Sequence, residues 1–487
     1  MKNTAQKKEN VLDRKCKRTD LLLLAVCLFF YLFFPIFDGP VWCKDSMSYA
    51  GMDISREPLY PLFLALFQVR TGEEISGSGM MAVVIVQSLI AGMAVWYAGY
   101  VVKKTKNDSR LLQFAAIGFQ FAVSLLCRFA ARRSSVYFDC IMTEGLCLSL
   151  FLLFAVELYL SVITGKRRHI AAAMILSFLL LSLRKQMLIT IIIMGVVFGW
   201  YYLARGREIR KFCLLILLLF LVMLAGRLLD RTYNHAVRGV WIEHCHNSMG
   251  FLCVLLYTSD VENDRNLFEE EALRTLYLDI MEQAEKEGLL YDGTEKGWLP
   301  SAAHFADSYD AIGYGIINPV LEGYIGETFS YSEVEAAIKY DEICGGMIRT
   351  LLHQDKTALM RVWIYNIGCG LVNSIALATD LLSLYSLAAY LGVGAMALIL
   401  IAQKRKLRNM QQPGVAECEN EIEQIGRSLA FLFIVLTAIA VNSLTVGLTI
   451  FTQPRYMIYG MGLFYTAGSM LLGDIILYGR AFKRERS

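Results

Sequence analysis

Apolar stretches close to twenty residues long recur along this chain, and nearly every one ends beside a cluster of Lys and Arg. They fall at 21–37, 80–102, 111–127, 140–163, 170–183, 187–203, 212–229, 380–402, 428–450 and 456–478. A helix needs roughly twenty apolar residues to cross a hydrocarbon core about 30 Å thick. Inside hydrocarbon a chain must satisfy its own backbone, which leaves helices or closed barrels. Strand alternation is not the pattern here, so the expected fold is all-α: a polytopic membrane helix bundle of about ten spans. A hydrophobic content of 56% excludes a soluble enzyme with a single anchor. The net charge of +3 gives no reason to expect nucleic acid as a partner; the expected partner is the lipid bilayer.

Charge at the span ends sets the expected orientation. Lys103, Lys104 and Lys106, the basic runs 166–168, 205–211 and 404–408, and Lys483, Arg484 and Arg486 all mark one face under the positive-inside rule. This predicts a multi-pass cell-membrane protein with both termini cytoplasmic. The basic segment 1–20 leads into 21–37 without a small-residue cleavage site, as a retained anchor would. Residues 21–229 then form an N-terminal membrane module whose first external loop is 38–79. Residues 230–379 form an extracytoplasmic lobe, and 380–487 a C-terminal membrane module. The lobe reads as helical: Leu267, Leu273, Leu276, Ile280 and Ala284 recur at helical spacing, and Ser332 with Glu335 forms a capping-box pattern. The run 313–326 reads as loop. Stretch 359–378 is apolar enough to span, but spanning would move 404–408 to the outside. It also carries Arg361, Asn366 and Asn373, so it is expected to lie on the outer membrane face.

Two groups of cations break the orientation pattern, Arg128–Arg132–Arg133 and Arg184–Lys185. Both fall outside, where topology does not want them. The first loop is also unusual. It carries Asp45, Asp53, Arg56 and Glu57, then an apolar run from Leu59 to Val69 too short to cross. Polar groups held at membrane depth mark function more often than structure.

The loop contains the string Arg56-Glu57-Pro58-Leu59-Tyr60-Pro61-Leu62-Phe63-Leu64, with Asp45 upstream. This resembles the polytopic GT-C glycosyltransferases, and within them the bacterial branch of protein mannosyltransferases and aminoarabinose transferases. Further echoes are Thr143-Glu144 opening a span, Leu183-Arg184 at the outer end of a short one, and Arg455-Tyr456 before the last. The resemblance implies a GT-C-like bundle in which Asp45 is the catalytic base. It also implies that Arg184, Lys185 and Arg455 hold the phosphate of a polyprenyl-phosphate sugar donor, and that the acceptor is a glycan, lipid or protein. Two departures stand out: Lys44 precedes Asp45 where relatives often pair acids, and Arg184-Lys185 lacks a following proline.

The residue types fit such chemistry. A sugar on a lipid phosphate already has a good leaving group. It needs a carboxylate to take the acceptor proton and cations to stabilise the departing phosphate. Supporting roles fall to Arg56, Glu57, Tyr60, Glu144 and Tyr456. Each has a plainer reading. Arg56 and Glu57 could be an exposed ion pair of little worth, and Arg184 and Lys185 could snorkel to headgroups. Tyr60 and Trp241 could stack on a sugar or simply pack, and Glu144 could pair with an outer-face Arg. The string Glu243-His244-Cys245-His246 looks metal-like, but His residues two apart share a face only on a strand. The expected metal ligands are therefore none. No cofactor is required, with a divalent cation between Asp45 and the donor phosphate as an option. Two rival functions remain. One is a transporter or flippase for a lipid-linked glycan, which would want mid-span charges and a repeat. The other is a polysaccharide polymerase or ligase using the late-loop histidines.

Overall fold

Apolar runs of this length become helices because the helix pairs every backbone group within the segment. The computed structural model describes residues 18–130, 137–206, 208–245, 248–329, 332–410 and 416–484. About 81% of the described residues are helical, and the sole sheet among them is a hairpin of β1 (Arg70–Thr71) and β2 (Glu74–Ile75). In chain order, α1 (Arg18–Asp38) leads to the first loop, which holds α2 (Ser46–Ala50) and α3 (Leu59–Leu66). Helices α4 (Gly77–Thr105), α5 (Arg110–Ala130), α6 (Glu144–Thr164), α7 (Arg167–Leu183), α8 (Ile189–Gly199) and α9 (Ile209–Arg238) complete the first membrane module. Nine helices among the described residues are long and apolar enough to cross a membrane. The tenth expected span, α7, has 17 residues; it packs alongside α6, and Gly165 at φ +66 turns one into the other.

The lobe follows: α10 (Met249–Tyr257), α11 (Glu271–Lys286), α12 (Trp298–Asp310), α13 (Asn318–Thr328), α14 (Glu333–Leu351) and α15 (Lys356–Asn373). Its core, around Tyr277, Ile280, Phe305, Ile316, Leu321 and Met347, is separate from that of the membrane bundle. The capping box forms as its sequence pattern requires, with Ser332 Oγ and Glu335 each bonded to the other's backbone N–H. The stretch 313–326, expected as loop, is instead a π-helical turn at Ala311–Ile317 running into α13. Its apolar residues Ile312, Ile316, Ile317 and Leu321 are all buried, and that burial outweighs its glycines.

Helix α15 docks on the last module, built from α16 (Asp380–Met410), α17 (Ala416–Thr449) and α18 (Met461–Arg484). Asn366 Nδ2 donates to Gly447 O and Ile450 O, both at 2.8 Å, and Asn373 Nδ2 donates to Thr452 O at 2.8 Å. These amides satisfy carbonyls left open where α17 ends. Contact is close: a Cβ at Gly447 would lie 2.7 Å from Ile367.

At the end of the bundle remote from the first loop, the lysines expected to face water are buried. Lys103 pairs with Asp20 and Lys106 with Asp474, both at 2.5 Å, and all four side chains are at most 3% exposed. An ammonium taken out of water needs a counter-charge, and α1 and α18 each bring one.

Candidate functional site

The first loop is laced to the segment preceding α6. Val41 N donates to Asp139 O, Ile141 N to Val41 O, and Ser46 Oγ to Ile141 O. Tyr60 Oη donates to Gln87 Oε1, whose amide donates to the carbonyls of Phe138 and Cys140. Tyr60 is fully buried. It anchors the loop, and of the two readings, stacking on a sugar or packing, its burial matches packing.

Asp45 stands at the N-cap of α2, yet its side chain does not cap the helix. A carboxylate at that position normally accepts from the first-turn N–H groups. Here it is turned to other partners. Its Oδ1 lies 3.2 Å from Arg56 Nη2 and its Oδ2 lies 3.5 Å from Arg455 Nη1. Arg56 is held in place by Ser48 Oγ at 2.8 Å and lies over the Tyr49 ring. Arg56 therefore pairs with Asp45, not with the adjacent Glu57 as the sequence suggested. The Asp45 side chain keeps 34% of its surface exposed, so a third group can reach it.

Arg455 comes from the short turn Pro454–Met457 after α17, and its Nη2 donates to Tyr456 Oη at 2.8 Å. Arg184 lies in the extended link after α7. Its Nη1 pairs with Glu144 Oε1 at 2.7 Å, and its guanidinium lies 4.7 Å over the Tyr456 ring, with that of Arg455 at 4.9 Å. Glu144 is 1% exposed. Tyr456 is fixed from behind, because its carbonyl accepts from Gln186 and Asn442. Asp45, Arg56, Glu144, Arg184, Arg455 and Tyr456 thus gather at one end of the bundle from four distant parts of the chain.

Lys185 is not with them. The doublet divides, with Arg184 on the Asp45 side and Lys185 lining a separate cleft with Glu57 and His244. Glu57 Oε1 accepts from Lys185 N at 2.5 Å, so it fixes the backbone that carries both cations. Trp241 is half exposed against His235. Glu243 is held by Arg231 and Arg227. Arg128 pairs with Asp38 at 2.6 Å; Arg132, Arg133 and His246 lie outside the described residues.

Sequence reasoning missed two residues of the lobe. Asp310 ends α12 beside Tyr309, whose ring meets Phe451 just ahead of Arg455. Partial burial pushes the Asp310 carboxyl above its ordinary range, while Arg455 and Lys44 pull it down and Asp45 pushes it up. Tyr314, on the π-helical turn, feels Asp310, Asp45 and Tyr456 and is 64% exposed. No spacing announces either residue; a π-helical turn, frequent at functional sites, shows only in the fold.

His244 predicts a pH effect on stability. Burial disfavours its charged form, but the hydrogen bond to Asp230 and the charges of Glu57 and Asp230 outweigh that and raise its pKa above 6.5. With the folded value raised, the stabilisation is complete below about 6.5 and fades as pH climbs through the raised value. The thermal midpoint should fall over that rise in the wild type and stay flatter in His244→Gln. Parallel curves for the two proteins would assign the effect elsewhere.

The fold and site define a helical bundle with nine helices among the described residues long and apolar enough to cross a membrane, a polar centre at one end and a separate helical lobe. No family model, curated protein or solved structure matches the chain.

Proposed function

We propose that this protein is an integral membrane glycosyltransferase of GT-C type, multi-pass in the cell membrane with both termini cytoplasmic. It moves a sugar from a polyprenyl-phosphate donor to a cell-envelope acceptor at the outer face. The observation that carries the reading is Asp45, a part-exposed carboxylate between two guanidiniums at the end of the bundle where Arg184 also lies. Asp45 takes the proton of the acceptor hydroxyl. The acceptor oxygen attacks the sugar carbon from the face opposite the phosphate, the carbon–oxygen bond to phosphate breaks, and the polyprenyl phosphate leaves with that bond's electron pair. Arg455 and Arg56 stand where negative charge passes from base to leaving group, and preorganised cations aimed at developing charge lower the barrier. Arg184, held by Glu144 and stacked on Tyr456, acts as a positioning residue for Arg455.

Transfer is tested with purified protein in lipid, a radiolabelled polyprenyl-phosphate sugar and an envelope fraction as acceptor. The expected result is label moving to the acceptor in step with release of polyprenyl phosphate. Donor that stays intact across hexose and pentose donors would overturn the proposal.

A further inference from the structure

A second cleft lies behind the Asp45 centre, with a cavity of about 150 Å³ between the first loop, α7 and α9. The two sites share a wall: Arg56 and Arg184 face Asp45 or its neighbours, while Glu57 and Lys185 line the cleft. One side is apolar, formed by Leu181, Leu188 and Met223. It continues onto α9, where Phe220, Leu221 and Leu224 are exposed and only 11% of the spanning window is buried. A groove that is apolar toward an exposed spanning helix and charged at its end suits an amphiphile arriving from the bilayer.

The charges select its headgroup. Lys185 and Arg227 face Glu57, Asp230 and Glu243, with His244 among them. With His244 protonated the lining is neutral overall, which gives a purely anionic headgroup no advantage. Most of these groups are already engaged. Glu243 is held by Arg231 and Arg227, and Asp230 accepts from both the His244 backbone and ring. Three polar termini are left over among the described residues. His244 Nε2 is buried without a hydrogen bond, 3.9 Å from Glu57 Oε1. Lys185 Nζ and Glu57 Oε2 also make none. With His244 protonated, two are donors and one is an acceptor. Of the three, only His244 Nε2 is buried, and Lys185 is an exposed side chain at the cleft. A buried polar atom without a partner is costly, and ligands commonly supply what is missing.

We propose that this cleft binds a zwitterionic phospholipid headgroup, its phosphate against Lys185 Nζ and His244 Nε2–H and its ammonium toward Glu57. This site does not depend on the glycosyltransferase reading and is read out by binding alone. Full-length protein in detergent is titrated with dihexanoyl-phosphatidylethanolamine, dihexanoyl-phosphatidylglycerol and soluble phosphoethanolamine, with binding followed by native mass spectrometry. Phosphatidylethanolamine should bind about tenfold or more tighter than either competitor. Lys185→Gln, which keeps the backbone N–H that Glu57 needs, should weaken it about tenfold, and Glu57→Gln should erase the preference over phosphatidylglycerol. Elution volume and helical circular dichroism confirm that the variants fold. Equal or tighter binding of phosphatidylglycerol would overturn the zwitterion assignment. Phosphoethanolamine binding as tightly as the lipid would overturn a bilayer source, and wild-type affinity in Lys185→Gln would overturn the site.

Discussion

Replacing Asp45 with Asn is expected to lower the rate of sugar transfer by about 10²–10⁴-fold, the span of a lost general base, while leaving the fold intact. Asn keeps the shape and one acceptor oxygen for Arg56 or Arg455, loses the contact to the other, and cannot take the acceptor proton. The stability cost should be small for three reasons. The side chain is 34% exposed, it caps no helix, and its ion pairs sit at 3.2 and 3.5 Å among part-exposed groups. Such pairs contribute about 0–1 kcal/mol. The control is Asp53→Asn. Asp53 Oδ1 accepts from the backbone and hydroxyl of Ser55, and its side chain lines a different groove, against Glu322 and Phe329 of the lobe. Loss of its charge should leave the transfer rate within about twofold. Single-turnover rates for both variants decide the matter. An Asp45→Asn enzyme at wild-type rate removes Asp45 from the chemistry, whatever the Asp53 variant does.

The second large effect is one of stability. Arg184→Met should destabilise the protein by about 3–5 kcal/mol, because it strands the Glu144 carboxylate, which is 1% exposed, without its paired counter-charge. The double variant Arg184→Met with Glu144→Gln should recover most of that loss, since a buried pair replaced on both sides is often near neutral. Activity should not recover in parallel. Without the Arg184 guanidinium over its ring, Tyr456 loses one of the contacts that set the ring's place beside Arg455. Unfolding in mixed micelles measures the first quantity, and transfer rate per folded molecule the second. A single variant as stable as wild type would mean that Glu144 finds another partner. A double variant as unstable as the single one would assign the loss to packing at Arg184, not to charge.

Helical content, the length and apolarity of the long segments and the helices between 249 and 373 were all legible in the order of residues. Each depends on local length and periodicity. The eight residues of Leu59–Leu66 are too few to cross, and the Ser332–Glu335 pair caps its own helix. The charges of the site were legible only as anomalies. Arg184 and Glu144 stood out because span ends seldom carry them without reason, and Asp45 because of its place in the loop. Their partners were not legible. Neighbours in sequence suggested that Arg56 binds Glu57 and that Arg184 works with Lys185, and the structure separates both pairs. Consecutive residues beyond a helix end point in different directions, and one turn of backbone sends each to a different wall.

Composition and spacing alone determined that this chain makes long apolar helices with a polar lobe between two groups of them, because a helix closes its hydrogen bonds within itself. Only the packed bundle decided that Asp45 meets Arg455 across 410 positions of chain, that Tyr60 is buried beneath the loop, and that Lys106 finds Asp474. It also decided that Tyr309 of the lobe packs on Phe451, just ahead of Arg455. Those meetings depend on which helices lie side by side, and a buried charge selects its partner from whatever that packing brings within a few ångströms.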